Sequence, residues 1–286
     1  MTTAMIGMDD GVRLRTWTTG SPASTGTAVV MVHGGPGLPD YLGPVAAMVE
    51  DLCLVHRYDQ RGTGGSLWPG EHTIARHVRD LSRLLDAWGH ERVVLVGHSF
   101  GTNLAGYFTL AQPARVAGLV QIAGPFLDPW READRAAQRA RRTDEQQSRL
   151  DELQAVAART EAEEIEFLTL SWFTDHADRE RAWDWTLASA RAWRPVNYSM
   201  NSQLNAATKA DPLEAHVDEL REFLPAGSVI IGGAGDSRPA AALRRAGVRL
   251  GCEVVIIPDA GHHPWLEAPD RFAAAFRAAV SRAIQG

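Results

Sequence analysis

The residues best suited to chemistry lie in the run Gly-His-Ser-Phe-Gly at positions 97–101. This run comes directly after the apolar residues 93–96 and directly before a helical pattern. A serine between glycines in that context is typical of a nucleophile elbow, a strained strand-to-helix turn in which glycine allows close backbone approach. A serine hydroxyl becomes a good nucleophile only when a base takes its proton. The pattern therefore predicts a nucleophilic Ser99 and a partner histidine elsewhere in the chain.

A candidate for that base lies in residues 259–264, which read Asp-Ala-Gly-His-His-Pro and follow the last apolar run. A histidine on a loop at the carboxyl edge of a sheet can reach a serine at the same edge. We predict that His262, which follows the glycine, is the base. His263 stays as the alternative because geometry decides between neighbouring histidines.

The acid that orients this histidine is expected after the penultimate predicted strand, where residues 232–239 read Gly-Gly-Ala-Gly-Asp-Ser-Arg-Pro. Asp236 would accept the imidazole N–H, fix the tautomer and stabilise the imidazolium. An aspartate that caps the following helix is the alternative role, and one residue can fill both roles.

Acyl transfer to a serine also creates an oxyanion, which must be met by preorganised N–H donors. Residues 33–37, His-Gly-Gly-Pro-Gly, follow the third predicted strand and offer one such donor. We favour the amide of Gly35, with Gly34 as the alternative, and the amide of Phe100 as the second donor. His33 is interpreted as a structural hydrogen-bonding residue.

The elements that must position these residues alternate between strand and helix. Continuous apolar runs predict strands that are covered on both faces, as in a parallel sheet. The predicted strands are residues 4–8, 11–17, 27–32, 52–58, 92–96, 116–122, 228–231 and 253–257. The predicted helices are residues 74–88, 102–111, 239–246 and 269–284. This alternation predicts right-handed crossovers and a doubly wound α/β sheet.

Residues 125–225 interrupt the alternation with helical patterns and no clear strand. We expect them to form a helical cap inserted into a core made of residues 1–124 and 226–286. The charge-rich residues 131–149 predict a solvated helix. The segment holds five of the nine tryptophans of the chain, which are Trp130, Trp172, Trp183, Trp185 and Trp193.

Composition narrows the class of protein. With 286 residues, 45% of them hydrophobic, the chain is an ordinary globular protein, which excludes collagen-like, disordered and disulfide-scaffold classes. A formal net charge of −6 and the lack of a basic tract argue against a nucleic-acid partner. Cys53 and Cys252 are too few for a disulfide framework, and we expect reduced thiols. We see no secretory signal in residues 1–10 and no apolar run of membrane length, and therefore expect a cytoplasmic protein without a membrane partner.

Taken together, these motifs resemble the α/β-hydrolase superfamily, and specifically its proline iminopeptidase-like branch. The resemblance rests on residues 33–37, on Asp-Gln-Arg-Gly-Thr-Gly-Gly-Ser at 59–66, on the elbow and on the Gly-His loop. It implies an α/β-hydrolase fold with a mostly parallel, eight-stranded sheet and an inserted helical cap. It also implies a serine hydrolase that works through an acyl-enzyme, with no metal or organic cofactor. In that branch, the positions of Asp59 and Arg61 support the active-site loops.

The sequence departs from this branch where the substrate is recognised. Members usually read Gly-Gly-Ser-Trp-Gly at the elbow and hold the free amine of the substrate with cap glutamates, one of them in a Glu-Asn segment. The corresponding segment here is Val196-Asn197-Tyr198, with valine in place of glutamate.

This departure favours a small neutral ester, lactone or amide as the substrate. The tryptophan-rich cap suits an apolar group, and the candidate substrate contacts are Gly34, Trp172, Trp193 and Tyr198. A true prolyl aminopeptidase and a non-catalytic small-molecule binder are the alternatives, and the sequence leaves a homo-oligomer open.

Overall fold

The computed structural model describes residues 1–22, 26–127 and 129–285, and these contain eight strands in a single sheet. The strands are β1 (Thr2–Gly7), β2 (Arg13–Thr19), β3 (Ala28–Val32), β4 (Val55–Tyr58), β5 (Val93–His98), β6 (Val116–Ile122), β7 (Val229–Gly233) and β8 (Glu253–Ile257). Their order across the sheet is β1-β2-β4-β3-β5-β6-β7-β8. Only the pairs β1–β2 and β2–β4 are antiparallel; the others are parallel. The predicted α/β fold with a mostly parallel, eight-stranded sheet is confirmed.

Twelve α-helices surround this sheet among the described residues. They are α1 (Gly43–Ala47), α2 (Ile74–Trp88), α3 (Phe100–Ala111), α4 (Arg131–Arg141), α5 (Asp144–Ala155), α6 (Glu161–Trp172), α7 (Ala182–Ala192), α8 (Tyr198–Ala210), α9 (Val217–Phe223), α10 (Ala240–Leu250), α11 (Pro264–Glu267) and α12 (Pro269–Gln285).

The central strands are apolar along their whole length because both faces of the sheet are covered. Every residue of β3 and β5 is buried. Side chains alternate along a strand, so that Val29 and Met31 pack with α1 and α12 on one face. Val30 and Val32 pack with α2 and α3 on the other face. This packing fixes the carboxyl ends of β3 and β5, where the glycine-rich loop and the elbow begin.

The predicted and observed bounds agree best where an element has its own local signals. Helix α2 spans the predicted residues 74–88: the Thr73 side chain accepts the N–H of Arg76 at its start, and Gly89 ends it with φ 76°. The predicted strand 52–58 begins later, at Val55, because the residues before it form a turn.

Helices α4 to α9 all lie between β6 and β7 along the chain. The charged residues 131–149, expected to form one helix, form α4 and the start of α5 instead. The chain breaks there because Thr143 and Gln146 form a reciprocal capping box that starts a new helix. Both cysteines are free thiols, and Cys53 is buried. No helix of the described residues is long and apolar enough to cross a membrane.

Candidate active site

The elbow places Ser99 at a sharp turn between β5 and α3. Its backbone lies at φ 54°, a strained value for a residue with a side chain, and its N–H donates to the Ile122 carbonyl at 2.9 Å. Glycine is required at both flanking positions because a side chain would not fit there. A Cβ atom on Gly101 would lie 2.0 Å from the Val32 carbonyl oxygen, and one on Gly97 would lie 2.7 Å from the Gly101 oxygen. The turn therefore presents the Ser99 hydroxyl at the carboxyl edge of the sheet.

The structure brings the predicted serine, histidine and aspartate together. His262 Nε2 lies 2.9 Å from Ser99 Oγ, and His262 Nδ1 lies 2.7 Å from Asp236 Oδ2. The side chain of Asp236 is fully buried, and that of His262 is 4% exposed. Because the carboxylate can only accept, His262 Nδ1 carries the proton and Nε2 is free to accept the serine hydroxyl. This is the geometry that a general base requires.

The second oxygen of Asp236 is held by the residue two positions further on. Asp236 Oδ1 accepts the Arg238 backbone N–H at 3.0 Å and the Arg238 guanidinium at 3.1 Å. The following helix, α10, has Pro239 at its N-cap and no side-chain cap hydrogen bond, so the alternative role of Asp236 as a helix cap is not found. Burial opposes its ionisation, but the charges of His262 and Arg238 outweigh burial, and the pKa of Asp236 lies below its usual range. The same guanidinium donates to Asp175 at 3.0 Å.

His263, the alternative base, lies elsewhere. It is buried among aromatic rings, and its Nδ1 has no hydrogen-bond partner among the described residues. Burial and then the neighbouring His98 hold its pKa well below the usual range. His33 is also buried, and its Nε2 accepts the backbone N–H of Gln60 at 3.1 Å, as expected for a structural residue.

The glycine-rich loop lies beside the serine. The Gly34 N–H donates to the hydroxyl of Tyr41 at 2.9 Å, whereas Gly35, at φ 126°, lines the same cavity as Ser99 and Phe100. The loop is held from the α8 side, where the Asn197 N–H donates to the Gly37 carbonyl at 2.8 Å. Of the two glycines, Gly35 is thus the one whose backbone faces the cavity.

Asp59 and Arg61, expected to support the active-site loops, are both buried and make several hydrogen bonds, but the contacts of Arg61 are with Asp80 and Asp10 and not with the glycine-rich loop. Asp59 accepts the backbone N–H groups of Asp40 and Gly65 at 2.9 and 2.7 Å. Arg61 is fully buried and donates to both oxygens of Asp80 at 2.7 Å.

A cavity of about 630 Å³ opens at Ser99. Its lining comes from the elbow, the glycine-rich loop, α3 and the segment between β6 and β7. The polar and aromatic side chains of this lining include those of Asn103, Trp130, Asp134, Asn205, Lys209 and Arg238.

The predicted substrate contacts are placed differently. Trp172, Trp193, Tyr198 and Gly34 are not among the residues that line this cavity. Trp193 stacks on Tyr41 with ring centroids 4.4 Å apart, and Trp172 and Trp193 pack against the main apolar cluster. Tyr198 is exposed and donates to Glu164. The two tryptophans thus pack against the protein's own apolar residues, which the abundance of tryptophan in the sequence did not reveal.

Sequence reasoning also missed polar residues at the site. Asp134 of α4 is buried and lines the cavity; it accepts the Ser237 hydroxyl at 2.7 Å and the Gln138 amide at 3.1 Å. Its only sequence signal was an acidic residue in the first turn of a charged helix. Tyr41 gave no motif because its partners are a distant side chain, that of His98, and a backbone N–H. Arg238 stood in the run around Asp236, but that run does not reveal its contact with the distant Asp175.

A serine elbow, a His-Asp pair and an eight-stranded, mostly parallel sheet define the class of α/β-hydrolases. Residues 29–275 match the family model described as alpha/beta hydrolase family, and the chain belongs to that family. The protein named "Putative carbamate hydrolase RutD" from Shigella flexneri is 30% identical over 202 residues, which cover 70% of this chain and 71% of that protein.

Solved structures with similar folds include hydrolases of different kinds. An esterase from Thermogutta terrifontis superposes with a TM-score of 0.76 at 20% identity and covers 99% of both chains. The proline iminopeptidase of Mycobacterium smegmatis gives 0.68 at 19% identity, also over 99% of both chains. A proline iminopeptidase-related protein from Thermus thermophilus gives 0.69 at 23% identity, over 99% of this chain and 98% of that chain. These likenesses show that this chain shares the fold of those proteins.

Proposed function

We propose that this α/β-hydrolase is a serine hydrolase that works through an acyl-enzyme. The observation that carries the proposal is the continuous set of hydrogen bonds from Ser99 through His262 to Asp236 at the mouth of an open cavity. The hydroxyl, the base and the orienting acid then have the mutual geometry that nucleophilic catalysis requires.

In the proposed reaction, Ser99 Oγ attacks the carbonyl carbon while His262 Nε2 takes the hydroxyl proton. The tetrahedral oxyanion is stabilised by the backbone N–H groups of Gly35 and Phe100. His262 then gives its proton to the leaving group, and the acyl-enzyme forms. A water molecule, deprotonated by the same histidine, releases the acid and restores Ser99.

The hydrogen bonds that the two backbone N–H groups already make favour Gly35 over Gly34 as the oxyanion donor. The Gly34 N–H already donates to Tyr41, and an N–H has one proton to give. Among the described residues, no acceptor for the Gly35 N–H is present, and Gly35 lines the cavity.

We infer that residues 125–225 act as a cap over the site. Helix α4 contributes Asp134 and helix α8 contributes Asn205 and Lys209 to the cavity that opens at Ser99. The segment after α6 also contacts the base, since the His262 N–H donates to the Asp175 carbonyl at 2.8 Å.

We propose a small neutral ester, lactone or amide as the substrate class. Val196 packs against the main apolar cluster, and Asn197 caps α8, so that this segment brings no carboxylate to the cavity. A cationic amine would have to pair with one of the other carboxylates that line the cavity, Glu132, Asp134 or Glu214, because an unpaired buried charge is costly. Neutral acyl groups avoid that cost.

Prolyl aminopeptidase activity is the second candidate, and Asp134 is the observation that favours it. This buried cap carboxylate lines the cavity and, among the described residues, accepts hydrogen bonds from the neutral groups of Ser237 and Gln138. Its charge also acts on the nearby guanidinium groups of Arg238 and Arg142, so a substrate amine would compete with these two cations for it.

The two candidates are separated by matched acyl substrates, one with a free amine and one N-acylated, tested on the wild type and on Asp134→Asn. A neutral-substrate hydrolase gives the N-acylated member a kcat/KM at least equal to that of its partner. A free-amine preference of at least tenfold, about 1.4 kcal/mol in transition-state binding, that disappears in Asp134→Asn would support the aminopeptidase instead. Asp184→Asn, a change in α7 outside the cavity lining, is the matched control.

A further inference from the structure

The elbow residue before the nucleophile, His98, lies between the two loops that serve Ser99. Its side chain is fully buried. Its Nδ1 lies 2.6 Å from the hydroxyl oxygen of Tyr41, and its Nε2 lies 3.0 Å from the backbone carbonyl oxygen of His262. Tyr41 in turn accepts the N–H of Gly34 at 2.9 Å. Three hydrogen bonds thus join the glycine-rich loop to the loop of the base.

The direction of each hydrogen bond follows from its ends. The His262 carbonyl can only accept, so His98 Nε2 must carry a proton. Burial, the largest influence, holds the pKa of His98 well below its usual range, so the ring is neutral and its Nδ1 accepts. The Tyr41 hydroxyl must then donate to Nδ1, and its oxygen is free to accept the Gly34 N–H. Only this arrangement of protons gives each donor and acceptor of Gly34, Tyr41, His98 and His262 in this series a partner.

We propose that Tyr41 and His98 are positioning residues that hold the oxyanion loop and the His262 loop in register with Ser99. The proposal rests on the serine-hydrolase function proposed above. One end of the chain holds Gly34, the neighbour of the proposed oxyanion donor Gly35. The other end holds the backbone of the histidine whose ring meets Ser99 at 2.9 Å.

Loss of these three hydrogen bonds is expected to slow the chemical step more than it weakens substrate binding. Neither Tyr41 nor His98 is among the residues lining the cavity, so substrate does not lose a contact when they are replaced. Both the oxyanion donor and the base lose one anchor, and reacting groups displaced by a fraction of an ångström react more slowly. The expected signature is a lower kcat with little change in KM.

The first test compares Tyr41→Phe with Tyr58→Phe. Both changes remove one buried phenol hydroxyl, but the Tyr58 hydroxyl has no hydrogen-bond partner among the described residues. The measured quantity is the first-order rate at which Ser99 is labelled by a fluorophosphonate, counted per reactive site, together with kcat and KM for a p-nitrophenyl ester. We expect Tyr41→Phe to lower both rates by roughly tenfold or more and Tyr58→Phe to leave them unchanged.

The second test uses the length of the residue at position 98. The amide nitrogen of Gln can occupy the place of the imidazole Nε2 and donate to the His262 carbonyl, whereas the amide of Asn ends one bond short. The Asn side-chain oxygen can take the place of Nδ1 and accept from Tyr41, so each variant keeps one end of the hydrogen-bonded series and loses the other. We expect both His98→Gln and His98→Asn to be labelled more slowly than the wild type. We also expect Tyr41→Phe in the His98→Asn background to add little, because both changes break the same chain.

The outcomes distinguish this proposal from the proposed function. If wild-type Ser99 is labelled but Tyr41→Phe and His98→Asn react per site at the wild-type rate, the positioning proposal is overturned and the nucleophile stands. If the wild type is not labelled at Ser99, both the positioning proposal and the proposed serine-hydrolase function are overturned. Thermal unfolding of each variant separates folding from positioning, since a purely structural role lowers Tm and the number of reactive sites but not the rate per site.

Discussion

The backbone N–H of His262 donates a hydrogen bond to the backbone carbonyl of Asp175, 2.8 Å away. Asp175 belongs to the turn between α6 and α7, so this bond ties the proposed base directly to the proposed cap. The bond is reinforced by Glu267 of α11, which accepts the N–H of Gly261 from one loop and the N–H of Ala177 from the other, at 2.8 and 2.7 Å. The base and the cap are therefore held as one unit.

Replacing Glu267 by Gln is expected to loosen this unit. The side chain of Glu267 is fully buried, and its oxygens also accept the Asp178 N–H. The NH₂ group of Gln cannot accept hydrogen bonds, so backbone N–H groups that Glu267 now satisfies are left without an acceptor. This loss costs about 1–3 kcal/mol of unfolding free energy. Urea unfolding measures this loss, and kcat/KM is expected to fall with it. The control is Glu253→Gln, an exposed residue paired with Arg282; equal losses in both variants would contradict the assignment.

His262→Ala is expected to cost nearly as much activity as Ser99→Ala, because residues that act as a unit fail together. His263→Ala is expected to keep the same reaction with a smaller loss, since it removes a buried ring that touches neither Ser99 nor Asp236. Steady-state hydrolysis of a p-nitrophenyl ester by the purified, folded variants measures both changes. A crippling His263→Ala beside an active His262→Ala would reverse the two roles.

Arg61→Lys is expected to destabilise the fold although the charge is kept. Arg61 meets both oxygens of Asp80 at 2.7 Å, and a lysine ammonium cannot reproduce that planar, two-pronged contact. We expect a loss of about 1–3 kcal/mol of unfolding free energy, because a lysine keeps only part of the contacts of Arg61 with Asp80 and Asp10, although Asp80 Oδ1 retains its hydrogen bonds from Arg76. Arg83→Lys, at an exposed pair with Asp86, is the matched change and should be nearly neutral.

Stability is expected to fall as the pH drops from about 6.5 towards 3. Burial, and next a neighbouring histidine in each case, lowers the pKa of His56 and of His77 to about 3. The unfolded chain takes up these protons near pH 6.5 and the folded chain does not, so the folded state loses relative stability through this window. His56→Gln should reduce the slope of unfolding free energy between pH 4.5 and 6 by about 1.4 kcal/mol per pH unit. Unchanged slopes in chemical unfolding at several pH values would contradict this.

The fold was largely predictable because its information is local. Strands β6 and β8 and helix α2 begin and end where their apolar runs, β-branched residues and caps predict. The spacing of Ser99, Asp236 and His262 relative to strand ends was equally readable, since the carboxyl ends of parallel strands share one edge of the sheet.

The recognition surface was not predictable, because it depends on which distant side chains face the cavity. Trp172 and Trp193 were expected at the substrate and instead pack around the loops, while Asp134 of a charged helix lies in the cavity. Tyr41 shows the same limit: its hydroxyl meets His98, 57 positions later, and no local pattern contains that contact.

The central claim is that Ser99 carries the acyl group during turnover, and the mass of a rapidly quenched enzyme tests it most directly. The protein is mixed with p-nitrophenyl acetate, quenched in acid, digested and analysed by mass spectrometry. The account predicts one acetyl group on the peptide that contains Ser99 in the wild type, and neither this adduct nor turnover in Ser99→Ala. Turnover by folded Ser99→Ala, or an acetyl group carried by another residue during turnover, would contradict it.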